Sequence, residues 1–201
     1  NLAVIEEVLA NYPVDGIELF MSYQPYHFHP DQVETGREVM THWIGEVHEA
    51  VKRSGNAADG SPRELVVQVP VSLDGALAVG LDVREWIRRD IVDAVTGNHC
   101  GFGKPDPNTD FSSLVAAARG CDTRILAAVQ SRVNTDRIGE STIQMSRASA
   151  CNAWSQRVDG LHLSHWFGCW PYKADFYEKL REIAHPDIMA AKDKIYWVST
   201  E

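Results

Sequence analysis

The sequence is poor in cysteine, in basic residues and in long apolar runs, and each shortage argues against a class of protein. Its four cysteines stand singly along 201 residues, too thinly for a disulfide scaffold, so we expect isolated buried thiols. The chain has 19 Lys and Arg but 28 Asp and Glu, which gives a net charge of -9. This charge disfavours nucleic acid or an anionic membrane as partner. No run approaches the roughly 18 apolar residues that span a bilayer. A neutral or cationic partner fits this charge best.

The start of the chain carries no signal-peptide pattern, because it has neither a basic segment nor a continuous apolar core. The first residues, NLAVIEEVLANYP, nevertheless open in the middle of a helical pattern and without Met. We therefore expect an N-terminal part to be missing. The sequence leaves the localisation of this soluble domain open, and secretion or a periplasmic location is compatible with such a missing part.

Apolar runs rich in Val, Ile and Leu alternate with segments of helical period, which predicts a single domain of repeated βα units over residues 1–201. The predicted strands are Gly16–Ser22, Glu64–Val71, Ile91–Thr96, Arg124–Gln130 and Gly160–His165. The predicted helices are Ala3–Ala10, Gly36–Arg53, Val83–Arg89, Phe111–Ala118, Ser141–Arg157 and Lys173–Ile183. We expect Asp82 to cap the helix that follows it, and Gly55 and Gly120 to close helices in a left-handed conformation.

Five parallel strands suit either an open doubly wound sheet or part of a (β/α)8 TIM barrel. No Gly-rich dinucleotide fingerprint follows a strand, and the long aromatic or polar loops follow strand ends, where barrels build their sites. A full barrel needs about 250 residues, so the sequence predicts a partial barrel of about five βα units.

Two segments with similar sequences place two polar side chains on one face of the predicted sheet. The segment VDGIELFMSY, from Val14, is repeated as VDGLHLSHWF, from Val158. Because strand side chains alternate, Glu18 and His162 would both point into the lumen. A carboxylate there is costly without a partner, so we expect Glu18 to contact His162 or Gln68.

The order of several short motifs resembles that of a known family. These are DGIEL followed by P, F, P and G over residues 15–36, VPVS with VGLDV and W over 69–86, IVDAV at 91, and VDGLHL with a late KDKIY. The chain resembles glycoside hydrolases of the family-10-like type, TIM-barrel proteins of environmental bacteria. The resemblance implies a carbohydrate-active barrel with its site at the carboxyl ends of the strands. Where the family's first motif has Asp followed by Arg, this sequence has Phe20 and Tyr23.

Hydrolysis of a glycosidic bond normally needs two carboxyl groups, one of them a proton donor with a raised pKa. Glu18 is the first candidate, and Asp74 and Glu140 are the candidates for the second role, with Asp106 and Asp110 as further acidic loop residues. Aromatic platforms and polar rims bind sugars, and such residues follow the strand ends. The predicted substrate-binding residues are Tyr23, His27, His29, Gln68, His162, His165, Trp166 and Trp170.

Two other functions stay open at this point. The change to Phe20 is compatible with a non-catalytic carbohydrate-binding or structural relic of a barrel. His27 and His29 have the His-x-His spacing of a metal-dependent barrel isomerase or hydrolase, but no third ligand is fixed by the sequence, so we expect neither metal nor cofactor. We expect a carbohydrate as partner, neither nucleic acid nor membrane, and self-association if the barrel is incomplete.

Overall fold

Five parallel strands form one sheet in the order in which they occur along the chain. The computed structural model describes residues 1–99, 106–131, 141–164, 166, 171 and 173–197. The strands are β1 (Gly16–Phe20), β2 (Glu64–Pro70), β3 (Ala94–Asn98), β4 (Arg124–Gln130) and β5 (Gly160–Ser164). Each pairs in parallel with its neighbour in sequence. The alternating βα pattern of the sequence is thereby confirmed as an α/β fold.

Helices connect the strands, as parallel crossovers require. They are α1 (Leu2–Asn11), α2 (Val33–Arg53), α3 (Leu73–Ala78), α4 (Val83–Arg88), α5 (Ser112–Ala117), α6 (Ile143–Ser155), α7 (Ala174–Ile183) and α8 (Pro186–Ala190), with a 3-10 turn at Pro30–Gln32. The expected cap is present, since Asp82 Oδ1 accepts the Glu85 N–H at 3.1 Å. Gly55 and Gly120 have φ of +87° and +83°, as predicted for left-handed residues that close helices. In the part of the chain that the structure describes, no helix has the length and apolarity to span a membrane.

The predicted start of β3 is wrong by three residues, and its end by two. The sequence predicts Ile91–Thr96, whereas the strand runs from Ala94 to Asn98. Ile91 still belongs to the preceding turn, because its N–H donates to the carbonyl of Trp86 at 3.1 Å. The shift brings Asn98 into the sheet. The predictions also omitted α3 and α8, which are only six and five residues long.

The sheet curls like part of a barrel. In a flat sheet, four intervals of about 4.8 Å would hold β1 and β5 roughly 19 Å apart. Instead, Nε2 of His162 on β5 lies 3.1 Å from Oε1 of Glu18 on β1. The concave face of the sheet therefore encloses a lumen, in which side chains of non-adjacent strands meet.

The convex face of the sheet packs against the helices. Leu65, Val67 and Val69 alternate along β2 with lumen-facing residues, and all three are completely buried. They belong to the main hydrophobic core together with Trp86, whose indole N–H donates to Thr41 Oγ1 at 2.9 Å. The convex face of the sheet is therefore covered by the hydrophobic core, whereas the concave face carries the polar side chains of the lumen.

The segment after β1 is anchored by a ring that lies between two glycines. A Cβ placed on Gly36 of α2 would lie 2.5 Å from Phe28 Cγ, and one on Gly80, after α3, would lie 2.7 Å from Phe28 Cδ2. Both distances are shorter than real Cβ contacts, so only glycine leaves room for this ring. Phe28 thus ties the segment from Tyr23 to His29 to two helices.

Candidate functional site

The polar site in the lumen is built from β1, β2 and β5. Gln68 Nε2 donates to Glu18 Oε1 at 2.9 Å, and His162 Nε2 lies 3.1 Å from the same oxygen and 3.3 Å from Gln68 Nε2. Strand alternation places each of these side chains on the concave face. The expectation that Glu18 contacts His162 or Gln68 is confirmed for both residues.

The site extends to β3 through buried amide and hydroxyl groups. Asn98 Nδ2 donates to Gln68 Oε1 and to Ser164 Oγ, each at 3.0 Å. Gln68, Asn98 and Ser164 are all buried. Hydrogen bonds between buried side chains hold their rotamers fixed, so the groups around Glu18 form a preorganised network.

The hydrogen bond from His162 holds the pKa of the Glu18 carboxyl below its usual value of 4.5. Burial acts in the opposite direction, and the charge of His162 and the Gln68 hydrogen bond lower the pKa further. Glu18 is therefore ionised at neutral pH. An ionised carboxylate suits the role of nucleophile or base, and it does not suit that of a proton donor.

The two oxygens of Glu18 have different surroundings. Oε1 receives the bonds from Gln68 and His162, whereas Oε2 has no hydrogen-bond partner among the described residues. The side chain of Glu18 is 40% exposed, so solvent reaches it from the lumen. Among the described residues, the protein therefore holds one oxygen of the carboxylate and leaves the other without a hydrogen bond.

Two aromatic rings contact each other where β1 ends. Phe20 and Tyr23 are 41% and 43% exposed, and their ring centroids are 5.7 Å apart at an interplanar angle of 48°. Phe20 lies on the same strand face as Glu18, and it pairs in register with Gln68. An exposed ring beside a carboxylate can stack on the apolar face of a sugar.

Trp166 requires a correction, because it is not an exposed platform. It is only 5% exposed, and it packs in a second core cluster with Val129, Ile183 and Met189. Its indole N–H donates to the carbonyl of Val129 at 2.8 Å, so the ring covers the end of β4. The expected face for sugar stacking is turned into the protein.

The two histidines after β1 lie on the surface, and no hydrogen bond among the described residues joins them to Glu18. His27 and His29 are both exposed, and His29 Nδ1 accepts the N–H of Asp31 at 3.5 Å as the cap of the 3-10 turn. No group of three or more His, Cys, Asp or Glu residues that could hold a metal ion occurs in the described ranges.

The candidates for a second carboxyl group are not joined to Glu18 by any hydrogen bond within the described residues. Asp74 is exposed in the first turn of α3, a position that acidic residues favour in helices. Asp106 and Asp110 cap turns through the N–H groups of Asn108 and Ser112. The predicted site residues Glu140, His165 and Trp170 lie outside the described residues.

Asn98 and Ser164 belong to the network, although the sequence analysis did not name either as a site residue. Ser164 shares the face of His162, so the alternation of β5 could have identified it. Asn98 was missed because the predicted strand stopped at Thr96, two residues short on the same face. Cys121 also differs from expectation, because it is exposed.

Comparisons with known proteins supply no family for this chain: no protein-family model matches it, and no curated protein does.

Proposed function

We propose that this chain is the larger part of a (β/α)8 barrel that hydrolyses an oligo- or polysaccharide, with Glu18 as the nucleophile or base. The single observation that carries the proposal is the asymmetry of the Glu18 carboxylate. Oε1 is held by Gln68 and His162, while Oε2 has no hydrogen-bond partner among the described residues of this 40% exposed side chain. In parallel barrels, the carboxyl ends of the strands are where active sites occur.

In the proposed reaction, Glu18 Oε2 either attacks the anomeric carbon to form a glycosyl-enzyme ester, which water then hydrolyses, or accepts a proton from the water molecule that attacks this carbon. The glycosidic C–O bond breaks, and the leaving oxygen takes a proton from a second carboxyl group. Asp74 and Glu140 are the candidates for this donor. The pKa of Glu18, lowered chiefly by the His162 hydrogen bond, keeps Glu18 in the form that the first role needs.

A carbohydrate is the substrate that the surroundings of Glu18 favour. Phe20 and Tyr23 offer partly exposed rings, and His162, whose side chain is 24% exposed, can exchange hydrogen bonds with hydroxyls. Stacking on rings combined with neutral polar partners is typical of sugar sites. The net charge of -9 favours a neutral ligand over an anionic one.

The test is the Glu18→Gln variant, assayed with a panel of aryl glycosides and oligosaccharides. We expect kcat/KM to fall by about a thousandfold or more, because the amide cannot act as nucleophile or base. Glu64→Gln is the matched control, since Glu64 is a carboxylate at the opposite end of β2 that pairs with Arg124. Retained turnover in Glu18→Gln would refute the role of Glu18.

The second candidate is a barrel that binds carbohydrate without cutting it. It is favoured by the absence, within the described residues, of a second carboxylate bonded to the Glu18 network. In that case the wild-type chain binds glycans on an array and releases no product. The Phe20→Ala and Tyr23→Ala variants then lose affinity for glycans. Glu18→Gln also changes this affinity, and none of the proteins, including the wild type, hydrolyses the glycan.

A further inference from the structure

A backbone N–H group fixes the orientation of the side-chain amides in the lumen. The backbone N–H of His99 donates to Asn98 Oδ1 at 2.8 Å. A peptide N–H can only donate, so this bond assigns the oxygen of the Asn98 amide and leaves its nitrogen for the other side. That nitrogen lies 3.0 Å from both Gln68 Oε1 and Ser164 Oγ.

The assignment passes from Asn98 to Gln68. Because Asn98 Nδ2 donates, the atom of Gln68 that it meets is the carbonyl oxygen Oε1. The nitrogen of Gln68 must then face the other way, where it donates to Glu18 Oε1 at 2.9 Å. Asn98 and Gln68 are 1% and 4% exposed, so bulk water does not compete for these bonds. One fixed donor thus determines the orientation of two amides.

We propose that Asn98 is a positioning residue of the Glu18 site, which turns the amide nitrogen of Gln68, and not its oxygen, toward the carboxylate. With the opposite orientation, the Gln68 oxygen would lie against an ionised carboxylate and repel it. The effect on Glu18 is a property of the folded chain, and only its consequence for catalysis rests on the proposed function. Asn98 acts through Gln68 and does not itself touch the reacting oxygen.

Few of the described ionisable groups surround Glu18, so a change in its pKa can be assigned to a single cause. Among the described residues, the ionisable group in contact with Glu18 is His162 on β5, while β2 presents the neutral Gln68. Arg124 lies on the same face of the sheet, but it pairs with Glu64 near the beginning of the strands. A change at Asn98 leaves all of these charges in place.

The experiment is a carboxyl-carbon NMR titration of the full chain labelled with ¹³C-glutamate, in which Glu18→Gln identifies the Glu18 resonance. We expect Asn98→Ala to raise the pKa of Glu18 by about half a unit or more, since the Gln68 amide is then free to rotate. Gln68→Leu should raise it as well. The double variant should titrate like Gln68→Leu alone, because Asn98 acts through Gln68.

Thr96→Val is the matched control for these variants. Thr96 lies two residues before Asn98 on the same strand face, is equally buried, and has no hydrogen-bond partner for its Oγ1 within the described residues. We expect this variant to leave the Glu18 pKa unchanged. If Asn98→Ala does not fold, Asn98→Ser keeps a small polar group at the position while removing the amide.

An unchanged Glu18 pKa in the Asn98 variants, or shifts that add in the double variant, would overturn the proposal. The titration needs no substrate, so it distinguishes this failure from failure of the hydrolase proposal. Where turnover is measured, the acidic limb of the kcat/KM profile should move with the Glu18 pKa in Asn98→Ala. A change in kcat/KM without movement of that limb would indicate a purely structural role.

Discussion

At the scale of single residues, the charge on Glu18 makes part of the folding stability depend on pH. The bond from His162, with the His162 charge and Gln68, outweighs burial and holds the pKa of Glu18 below 4.5. A pKa that is depressed in the folded state gives stability that is complete above the unfolded-state value. This contribution is lost as the pH falls from about 4.5 through the lower folded-state pKa.

We therefore predict that Glu18→Gln is less stable than the wild type at pH 7, and that the gap narrows as the pH falls below 4.5. Neutral Gln lacks the charge that strengthens the two bonds. Urea unfolding of both proteins at pH 7 and at several values between 5 and about 3 measures the difference. A gap that widens on acidification would contradict the lowered pKa of Glu18.

Some site residues follow from strand alternation, and others do not. Glu18, Gln68 and His162 lie on strands, where side chains alternate, and a carboxylate in a lumen requires a partner. Trp166 lies beyond the last residue of β5, Ser164, so the alternation no longer applies to it. The direction of its ring depends on the packing of α7 and α8, which a local pattern does not contain.

At the scale of elements, several motif residues of the family resemblance serve packing. Phe28, Gly36 and Gly80 form one contact, in which two helical segments come close to a single ring. Asp93 and Asp159, from the IVDAV and VDGLHL motifs, accept the N–H groups of Leu65 and Ile125 at 2.7 Å. These residues explain how the strands and the site segment are held.

We predict that Gly36→Ala destabilises the fold by about 1–3 kcal/mol, because its Cβ would overlap the Phe28 ring. Gly45→Ala in the same helix is the control, since nothing lies within 4 Å of its added Cβ. That change should stabilise α2 by about 0.5–1 kcal/mol. Chemical denaturation of both variants checks this, and equal effects would contradict the Phe28 anchor.

We predict that Asp159→Ala costs about 1–3 kcal/mol, because it leaves the buried N–H of Ile125 without its acceptor. Asp122→Ala serves for comparison, since Asp122 is an exposed carboxylate in the turn before the same strand. Its effect should stay within about 0.5 kcal/mol. If the denaturant midpoints of the two variants coincide, the hydrogen bond from the Ile125 N–H to Asp159 contributes little to stability.

At the scale of the whole molecule, the sheet has two edge strands, β1 and β5, in the part of the chain that the structure describes. Within the described strands, β1 pairs only with β2, and β5 pairs only with β4. Leu163 on β5 is 37% exposed on the helix-facing side of the sheet. Unpaired edges with exposed apolar side chains promote association between chains.

We predict that the chain self-associates as its concentration rises, and that Leu163→Lys shifts it toward the monomer by placing a charge beside the β5 edge. Val39→Lys is the control, because Val39 is 58% exposed and lies on the helix α2, not on either edge strand. Size-exclusion chromatography with light scattering gives the mass at each concentration. A monomer at every concentration would contradict this prediction.

The sequence by itself determined the βα order, the helix caps and the face of each strand, because these depend on propensity and alternation over a few residues. It also predicted that Glu18 needs a partner, since strand alternation turns this carboxylate toward the lumen, where a charge loses water. Only the tertiary structure decided that His162 on β5 contacts Glu18 on β1. The distance between them depends on the curvature of the sheet, which results from the twist and packing of all five strands. The tertiary structure also decided that Asn98 orients Gln68, which no pattern within one strand contains.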